Sequence, residues 1–376
     1  MSGIYIHIPF CKQACYYCNF HFSTSLRQKD ELIAALIEEI QLSRTFDAEG
    51  NDIIETIYFG GGTPSLLSVK DIELILNSIH AKFIVAPGAE ITLEANPDDV
   101  SADRLDLWKT LGINRLSIGI QSFLNEELAW MNRAHNASQA ADCIHLVKRA
   151  GFDNFSVDLI YGSPLLSNED WKRNVDTIIR QEIPHISCYA LTVEPDTALD
   201  KMILQHKKKA VDPDKQAAQL ILLMNWLQQG GYEHYEISNF AKPGFRSSHN
   251  SSYWQGKKYY GFGPSAHSFD GRSRRWNIAN NALYIQSLKS GLIPFEEEHL
   301  TITQQLNEYI MISLRTMEGL DLSVATERFG EPIAVALASK AGRHIKDRNM
   351  RLHATRLILT EQGKLLADGI AADLFS

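Results

Sequence analysis

Short apolar runs alternate with helical patterns from residue 3 to about residue 192. Between the first two runs, for example, Leu32, Leu36 and Ile40 recur at helical spacing. Six strand and helix alternations of this kind favour a parallel sheet with crossover helices. The periodicity alone leaves open whether the sheet is flat or closes toward a barrel. The predicted strands are 3–7, 53–59, 90–94, 115–120, 155–161 and 185–191.

Local signals also predict where two of the helices begin and end. Ser101 and Gly112 bracket a helix over 102–111, as its N-cap and its C-terminal stop. Asp212 followed by Pro213 opens another helix, which is expected to end at Gly230.

The amino-acid composition and the hydrophobic pattern of the chain change twice after these alternations. After residue 230 the chain becomes aromatic and rich in glycine, and residues 298–376 return to helical patterns with one strand-like piece at 356–359. We therefore expect an α/β domain over 1–200, an aromatic extension over 201–297, and a small α+β domain of winged-helix type over 298–376.

Composition and charge narrow the class of protein. The chain has 376 residues, of which 44% are hydrophobic and 22% charged, as in ordinary folded proteins. A formal net charge of −8 argues against DNA or RNA as the main partner. The sequence has no apolar stretch long enough to span a membrane and no secretory start, which predicts a cytoplasmic protein.

Three cysteines crowd into eight residues. Cys11, Cys15 and Cys18 lie on the loop after the first predicted strand, and three thiolates at this spacing suit an iron-sulfur cluster. A four-iron cluster held in this way keeps one iron without a protein ligand. The alternative is a zinc site with His21 as fourth ligand. Cys143 and Cys188 lie in apolar contexts and are expected in the core.

The motif Cys11-x-x-x-Cys15-x-x-Cys18 after a first strand resembles that of the radical S-adenosylmethionine (SAM) superfamily. The run Tyr5-Ile-His-Ile-Pro-Phe-Cys11 is similar to the oxygen-independent coproporphyrinogen III oxidase group within it. The resemblance implies a partial (β/α)6 barrel, a 4Fe-4S cluster on the three cysteines, and SAM as a second cofactor.

Further motifs fall where that group places its SAM contacts. They are Gly60-Gly-Gly-Thr-Pro64, Glu94-Ala-Asn-Pro, the stretch that ends in Gln121, Met-Asn-Arg133 and Val-Asp158-Leu-Ile-Tyr-Gly. Glycines let a backbone approach a ligand closely, carboxylates accept from ammonium and hydroxyl groups, and arginine binds carboxylates. The SAM contacts implied by the resemblance are Tyr5, Tyr17, Gly61, Gly62, Thr63, Glu94, Gln121, Arg133, Asp158 and Ala190.

Three features resemble those of the haem chaperones named HemW more than those of the porphyrin-forming oxidase. The oxidase has a fourth cysteine two positions after the third and a longer segment before the cluster, whereas Phe20 stands at that position here and the cluster begins at residue 11. The stretch 248–254 resembles the His-Asn-x-x-Tyr haem motif of these chaperones. His249 and Tyr253 are therefore candidate haem contacts. Imidazole can ligate haem iron, and aromatic rings can pack on the macrocycle.

The resemblance implies a haem chaperone that has haem as cargo and lacks coproporphyrinogen oxidase activity. The alternatives are an oxygen-independent coproporphyrinogen III oxidase that uses a 5′-deoxyadenosyl radical, or a radical SAM enzyme with another substrate. The implied partners are haem, apo haem-acceptor proteins such as respiratory ones, an electron donor such as flavodoxin or ferredoxin, and a second copy in a homodimer. Contact with a membrane would then occur through these partners.

Overall fold

A computed structural model describes residues 2–46 and 52–376. Within these residues, twelve strands form one sheet in the order β12-β11-β10-β9-β1-β2-β3-β4-β5-β6-β8-β7, and three strands form a small second sheet in the order β13-β15-β14. The strands are β1 (Ser2–Ile8), β2 (Ile53–Gly61), β3 (Ile84–Ala95), β4 (Arg115–Gln121), β5 (Phe155–Tyr161), β6 (His185–Ala190), β7 (Glu233–Glu236), β8 (Asn239–Ala241), β9 (Lys258–Phe262), β10 (His267–Phe269), β11 (Ser273–Asn277), β12 (Phe295–His299), β13 (Leu320–Asp321), β14 (Met350–His353) and β15 (Arg356–Leu359).

Helices connect the strands. They are α1 (Lys29–Leu42), α2 (Val69–Lys82), α3 (Ala102–Thr110), α4 (Asn125–Trp130), α5 (Ala137–Arg149), α6 (Asn168–Arg180), α7 (Ala198–Leu204), α8 (Pro213–Gln229), α9 (Ser248–Trp254), α10 (Asn281–Lys289), α11 (Ile302–Leu314), α12 (Leu322–Phe329), α13 (Glu331–Lys346), α14 (Glu361–Lys364) and α15 (Ala367–Leu374), with short 3-10 turns at Pro64–Leu66 and Pro97–Asp99.

Strands β1 to β6 are parallel neighbours, as the alternation of strands and helices predicts. Each of the six predicted strands is present, although β3 begins at Ile84, six residues earlier than expected. The predicted helix signals are confirmed as well: the Ser101 side chain accepts from the Arg104 N–H at the start of α3, and Asp212 caps α8.

The two faces of the parallel strands differ sharply. On one face Ile4, Ile6 and Ile8 of β1, with the equivalent residues of the next strands, pack under the helices in the main hydrophobic core. On the other face β1 presents Gly3, Tyr5 and His7, and β2 presents Thr56, Tyr58 and Gly60, because side chains alternate along a strand. Residues of this inner face from β1 through β6 line a single cavity, so the sheet curves into a partial barrel with a polar lumen.

The segment 201–297 extends the sheet at both edges. Strand β9 pairs in parallel with β1, β10 to β12 follow it antiparallel, and β8 with β7 add to β6 at the opposite edge. The division of the chain at residues 200 and 297 stays a prediction.

The C-terminal segment has a core of its own. Leu306, Ile310, Leu337, Leu357 and other residues of α11 to α15 pack around the small sheet β13-β15-β14. This unit docks on β7, where the Ile237 N–H donates to the Arg315 carbonyl and the Met317 N–H donates to the Tyr235 carbonyl. The fold is thus an α/β partial barrel followed by a small winged-helix-like α+β domain. No helix in the described ranges has the length and apolar character needed to cross a membrane.

Candidate functional site

A cavity of about 710 Å³ lies at the carboxyl ends of β1 to β6. In α/β folds this end of the strands is where ligands bind. The structure brings the three clustered cysteines and all ten candidate SAM contacts to the wall of this one cavity. They are Tyr5, Cys11, Cys15, Tyr17, Cys18, Gly61, Gly62, Thr63, Glu94, Gln121, Arg133, Asp158 and Ala190.

The cysteine loop is anchored by backbone hydrogen bonds. The Cys11 N–H donates to the Ser23 carbonyl at 3.0 Å, and the Ser23 N–H donates to the Pro9 carbonyl at 2.8 Å, which closes the base of the loop. Its far side rests on the turn after α4, where the Asn132 side chain donates to the Ala14 carbonyl at 2.7 Å. These bonds hold the three thiols toward the cavity.

Two side chains near these cysteines, Arg133 and His21, distinguish between an iron-sulfur cluster and a zinc ion at this site. The Arg133 guanidinium donates to Cys15 Sγ at 3.3 Å, and its Nε is a buried donor that has no partner within residues 2–46 and 52–376. His21, the candidate fourth zinc ligand, instead has its Nε2 2.7 Å from Asn281 Oδ1 and is absent from the cavity wall. Three thiols beside a cationic donor fit an anionic iron-sulfur cluster better than a zinc ion that needs a fourth ligand.

The glycine motif brings backbone against backbone at the cavity floor. The Gly62 N–H donates to the Ile8 carbonyl at 2.9 Å, and a Cβ atom at Gly62 would lie 2.6 Å from the Phe10 carbonyl oxygen. Gly61 has a φ of +105°, in the left-handed region, and a Cβ there would meet the His7 ring at 2.6 Å. Only glycine therefore lets this segment run beneath the cysteine loop.

Two carboxyl groups of the cavity wall, Glu94 and Asp158, have no cationic partner at salt-bridge distance among the described residues. Burial, and to a lesser extent the nearby Asp158 charge, raise the pKa of Glu94 to about 8, against the lowering effect of the hydrogen bond from Tyr58. Burial likewise raises the pKa of Asp158 to about 6, against the stabilising contact of Ser187. Such groups favour a ligand that offers an ammonium group or hydroxyl donors.

Arg133 is fixed by three acceptors. Its guanidinium donates to Asn96 Oδ1 at 2.6 Å and to the Gly119 carbonyl at 2.7 Å, in addition to Cys15. Gln121, at the end of β4, has a φ of 67°, an uncommon conformation for a residue with a side chain, and such strain concentrates at functional sites.

The sequence-based search missed Asn96 and Tyr58. Asn96 follows β3 directly in the Glu-Ala-Asn-Pro motif, so its position after a strand was an available signal. The Tyr58 hydroxyl donates to Glu94 Oε1 at 2.7 Å, a contact that the sequence does not indicate.

The candidate haem contacts lie elsewhere. His249 and Tyr253 are on α9, outside the cavity wall, and His249 is only 1% exposed. Its Nδ1 lies 2.7 Å from Thr56 Oγ1 and its Nε2 lies 3.0 Å from the Tyr253 hydroxyl. Burial lowers the pKa of His249 to about 3, so the ring is neutral. Haem can reach this ring only if α9 moves.

Comparison with known proteins agrees with this fold and site. Residues 5–178 match the Radical SAM superfamily model, and residues 300–366 match the HemN C-terminal domain. The solved structure of coproporphyrinogen III oxidase HemN from Escherichia coli superposes with a TM-score of 0.85 at 23% identity, over 100% of this chain and 90% of that one. The partial barrel with its cysteine loop and glycine floor is thus that of a radical SAM protein.

Relatives that match nearly the full length of the chain identify its family within this superfamily. The chain is 33% identical to the haem chaperone HemW of Mycobacterium tuberculosis (strain H37Rv), over 99% of this chain and 94% of the relative. It is 31% identical to the HemW of Bacillus subtilis (strain 168), over 98% of both. The chain belongs to the HemW family.

Proposed function

We propose that this protein binds haem and delivers it to acceptor haem proteins, and that a 4Fe-4S cluster and SAM in the cavity control the transfer. The observation that carries the proposal is the similarity over nearly the full chain to relatives named haem chaperones. The cavity adds support, because one wall offers three thiols and the other offers acceptors for an ammonium group and hydroxyls.

The residues of the cavity divide into two sets in this proposal. Cys11, Cys15 and Cys18 hold the cluster, with Arg133 beside Cys15 to offset its negative charge. When bound, the cluster supplies an iron without a protein ligand and a source of one electron. The set that holds SAM consists of Tyr5, Tyr17, Gly61, Gly62, Thr63, Glu94, Gln121, Arg133, Asp158 and Ala190.

The proposal includes haem binding at His249 and Tyr253, which requires a movement of α9. The ring nitrogens of His249 lie beside two hydroxyl groups inside the lumen, so haem ligation requires α9 to move outward. Substitution of His249 by alanine should then abolish the haem absorption band. The control is His344→Ala, which removes a buried histidine in the C-terminal unit.

The second candidate function is oxidation of coproporphyrinogen III, favoured by the fold shared with HemN. Phe20, at the position of the oxidase's fourth cysteine, lines the cavity and is 67% exposed. An apolar ring in place of that cysteine favours the chaperone function over the oxidase function.

The test uses one anaerobically reconstituted sample. Haem is titrated by absorption, coproporphyrinogen III conversion is followed by product analysis, and the haem-loaded protein is mixed with an apo respiratory haem protein. We expect haem binding and transfer without formation of protoporphyrinogen. Turnover of coproporphyrinogen by the intact protein would contradict the chaperone proposal. Gel filtration before and after loading tests for a homodimer, and reduction with flavodoxin or ferredoxin tests the electron donor.

A further inference from the structure

Helix α9 closes the lumen of the partial barrel at the end opposite the cysteine loop. The backbone N–H groups of Ser248 and His249 each donate to the Glu90 carboxylate at 3.0 Å, and Glu90 lies on the inner face of β3. At the start of β1, a Cβ atom on Gly3 would lie 3.4 Å from His249 Cε1. The helix therefore presents His249 into the base of the lumen.

Inside the lumen His249 packs against a tyrosine of β2. The ring centroids of His249 and Tyr58 are 4.9 Å apart with an angle of 23° between the planes, which is a stacked arrangement. Tyr5 also stacks on Tyr58, at 6.1 Å and 22°. The Tyr58 ring is 8% exposed, so its position is set by these two neighbours and the surrounding strands.

The hydroxyl of Tyr58 reaches the floor of the cavity. It donates to Glu94 Oε1 at 2.7 Å, and Glu94 is one of the two carboxyl groups of the cavity wall that are proposed to accept from the ammonium or hydroxyl groups of SAM. The space around this contact is filled: a Cβ atom on Gly60 would lie 2.9 Å from Tyr5 and Tyr58 and 3.1 Å from Glu94 Oε1. The side chains of His249, Tyr58 and Glu94 thus form a continuous column of contacts through the lumen.

We propose that Tyr58 is a positioning residue for SAM, which orients the Glu94 carboxylate, and that His249 holds Tyr58 in place from below. The inference rests on the proposed binding of SAM at Glu94 and concerns the haem-free protein, in which His249 contacts Tyr58. A buried carboxylate held by a fixed donor is already oriented for its ligand, so less free energy is lost on binding. His249 then contributes to the SAM site without touching SAM.

The first test is the affinity of reconstituted protein for SAM, measured by equilibrium dialysis. Tyr58→Phe keeps the stacked ring and removes only the hydroxyl, and we expect it to weaken SAM binding about tenfold. The matched control is Tyr232→Phe, which removes another buried hydroxyl bond, to the Ile183 carbonyl at 2.7 Å, and should leave the affinity unchanged. Absorption of the cluster verifies equal loading.

The second test places His249 in the same column. His249→Ala should weaken SAM binding by roughly two- to tenfold, because it removes the ring that supports Tyr58. In the double variant with Tyr58→Phe the losses should fall well short of their product, since both act on one contact. His249→Phe restores an aromatic ring that cannot ligate iron, and it should recover most of the affinity for SAM.

The outcomes separate this inference from the proposed function. Wild-type affinity in folded Tyr58→Phe, or fully multiplicative losses in the double variant, would overturn the positioning role and leave the chaperone proposal intact. Haem titration of the same samples reports on the chaperone proposal separately. A lack of SAM binding by the unaltered protein would overturn both the SAM site and this inference.

Discussion

At the scale of single residues, Glu94 should make the affinity of the cavity for SAM depend on pH. Its folded-state pKa of about 8 means that the carboxyl group is mostly protonated in the free protein at pH 7, whereas binding of an ammonium group requires the ionised form. SAM binding should therefore release a proton, and affinity should rise up to about tenfold per pH unit between about pH 6 and 7.5.

The measurement is the SAM dissociation constant of reconstituted protein across that pH window. Above about pH 8 the ammonium group of SAM itself loses its proton, so the window ends below that value. Glu94→Gln should bind SAM more weakly and without this slope. An affinity independent of pH in the unaltered protein would show that Glu94 does not receive the ammonium group.

Gly60 is a second residue whose replacement has a clear expected result. A methyl group there would lie 2.9 Å from Tyr5 and Tyr58, so Gly60→Ala must push the Glu94 contact apart. We expect SAM binding to weaken at least about tenfold and the free energy of unfolding to fall by about 1–3 kcal/mol. Gly342→Ala, in α13 with open space around it, is the control and should leave SAM affinity unchanged.

The residues that sequence reasoning found and missed differ in a physical way. Cys11 follows a predicted strand and Glu94 ends one, where parallel folds place ligand contacts, and the structure brings both to one cavity. Tyr58 and Thr56 lie within a strand, and their roles depend on contact with His249, 193 residues from Thr56 along the chain. No local pattern indicates a contact over that separation.

At the scale of elements, the cysteine loop depends on the turn after α4. Asn132 has a φ of 60°, and its side chain donates to the Ala14 carbonyl while its Oδ1 accepts from Gln13. Asn132→Asp keeps the shape and the acceptor but loses the donor to Ala14. We expect this variant to lose its cluster several-fold faster when exposed to oxygen, because the loop opens more often.

Iron content and the visible absorption of the cluster, followed in air, measure this effect. Asn125→Asp, on α4 itself, keeps the acceptor that the Ala137 N–H uses and serves as the control. Equal rates of cluster loss in the Asn132 variant and the unaltered protein would mean that other bonds suffice to hold the loop.

The elements themselves were predicted to different degrees. Strands β1, β2 and β4 to β6 are strongly apolar and were found within one or two residues. The start of β3 was missed because Pro87 and Gly88, which usually interrupt strands, lie inside it. The short strands of the aromatic segment gain their stability from pairing with β1 and β6, so local sequence carries little signal for them.

At the scale of the whole molecule, the C-terminal unit contributes to the same cavity as the barrel. Arg315 and Asp368 form an ion pair on the cavity wall, near Ile237 of the barrel edge. The Arg315 guanidinium also lies 5.8 Å from the centre of the Trp254 ring on α9. The unit thereby contacts both the cavity and the helix of the candidate haem motif, which sequence alone could assign only to separate segments.

The C-terminal unit has a hydrophobic core separate from the main core of the barrel, so we expect the two to unfold in separable steps. Leu337 is 2% exposed in the core of the C-terminal unit, so Leu337→Ala should cost this unit about 2–5 kcal/mol. For a unit of its size this corresponds to a melting transition lower by about 10 °C or more. Val335→Ala is the control on the same helix, since Val335 is 62% exposed.

Scanning calorimetry with and without SAM distinguishes the two cores. SAM should raise the transition of the barrel in both proteins, because a ligand stabilises the unit that binds it. The Leu337→Ala change should lower only the other transition and leave SAM affinity within about twofold. A single transition that moves as a whole with the substitution would instead mean that the contacts between Arg315, Ile237 and β7 join the two cores into one cooperative unit, and that the C-terminal unit is needed to keep the cavity formed.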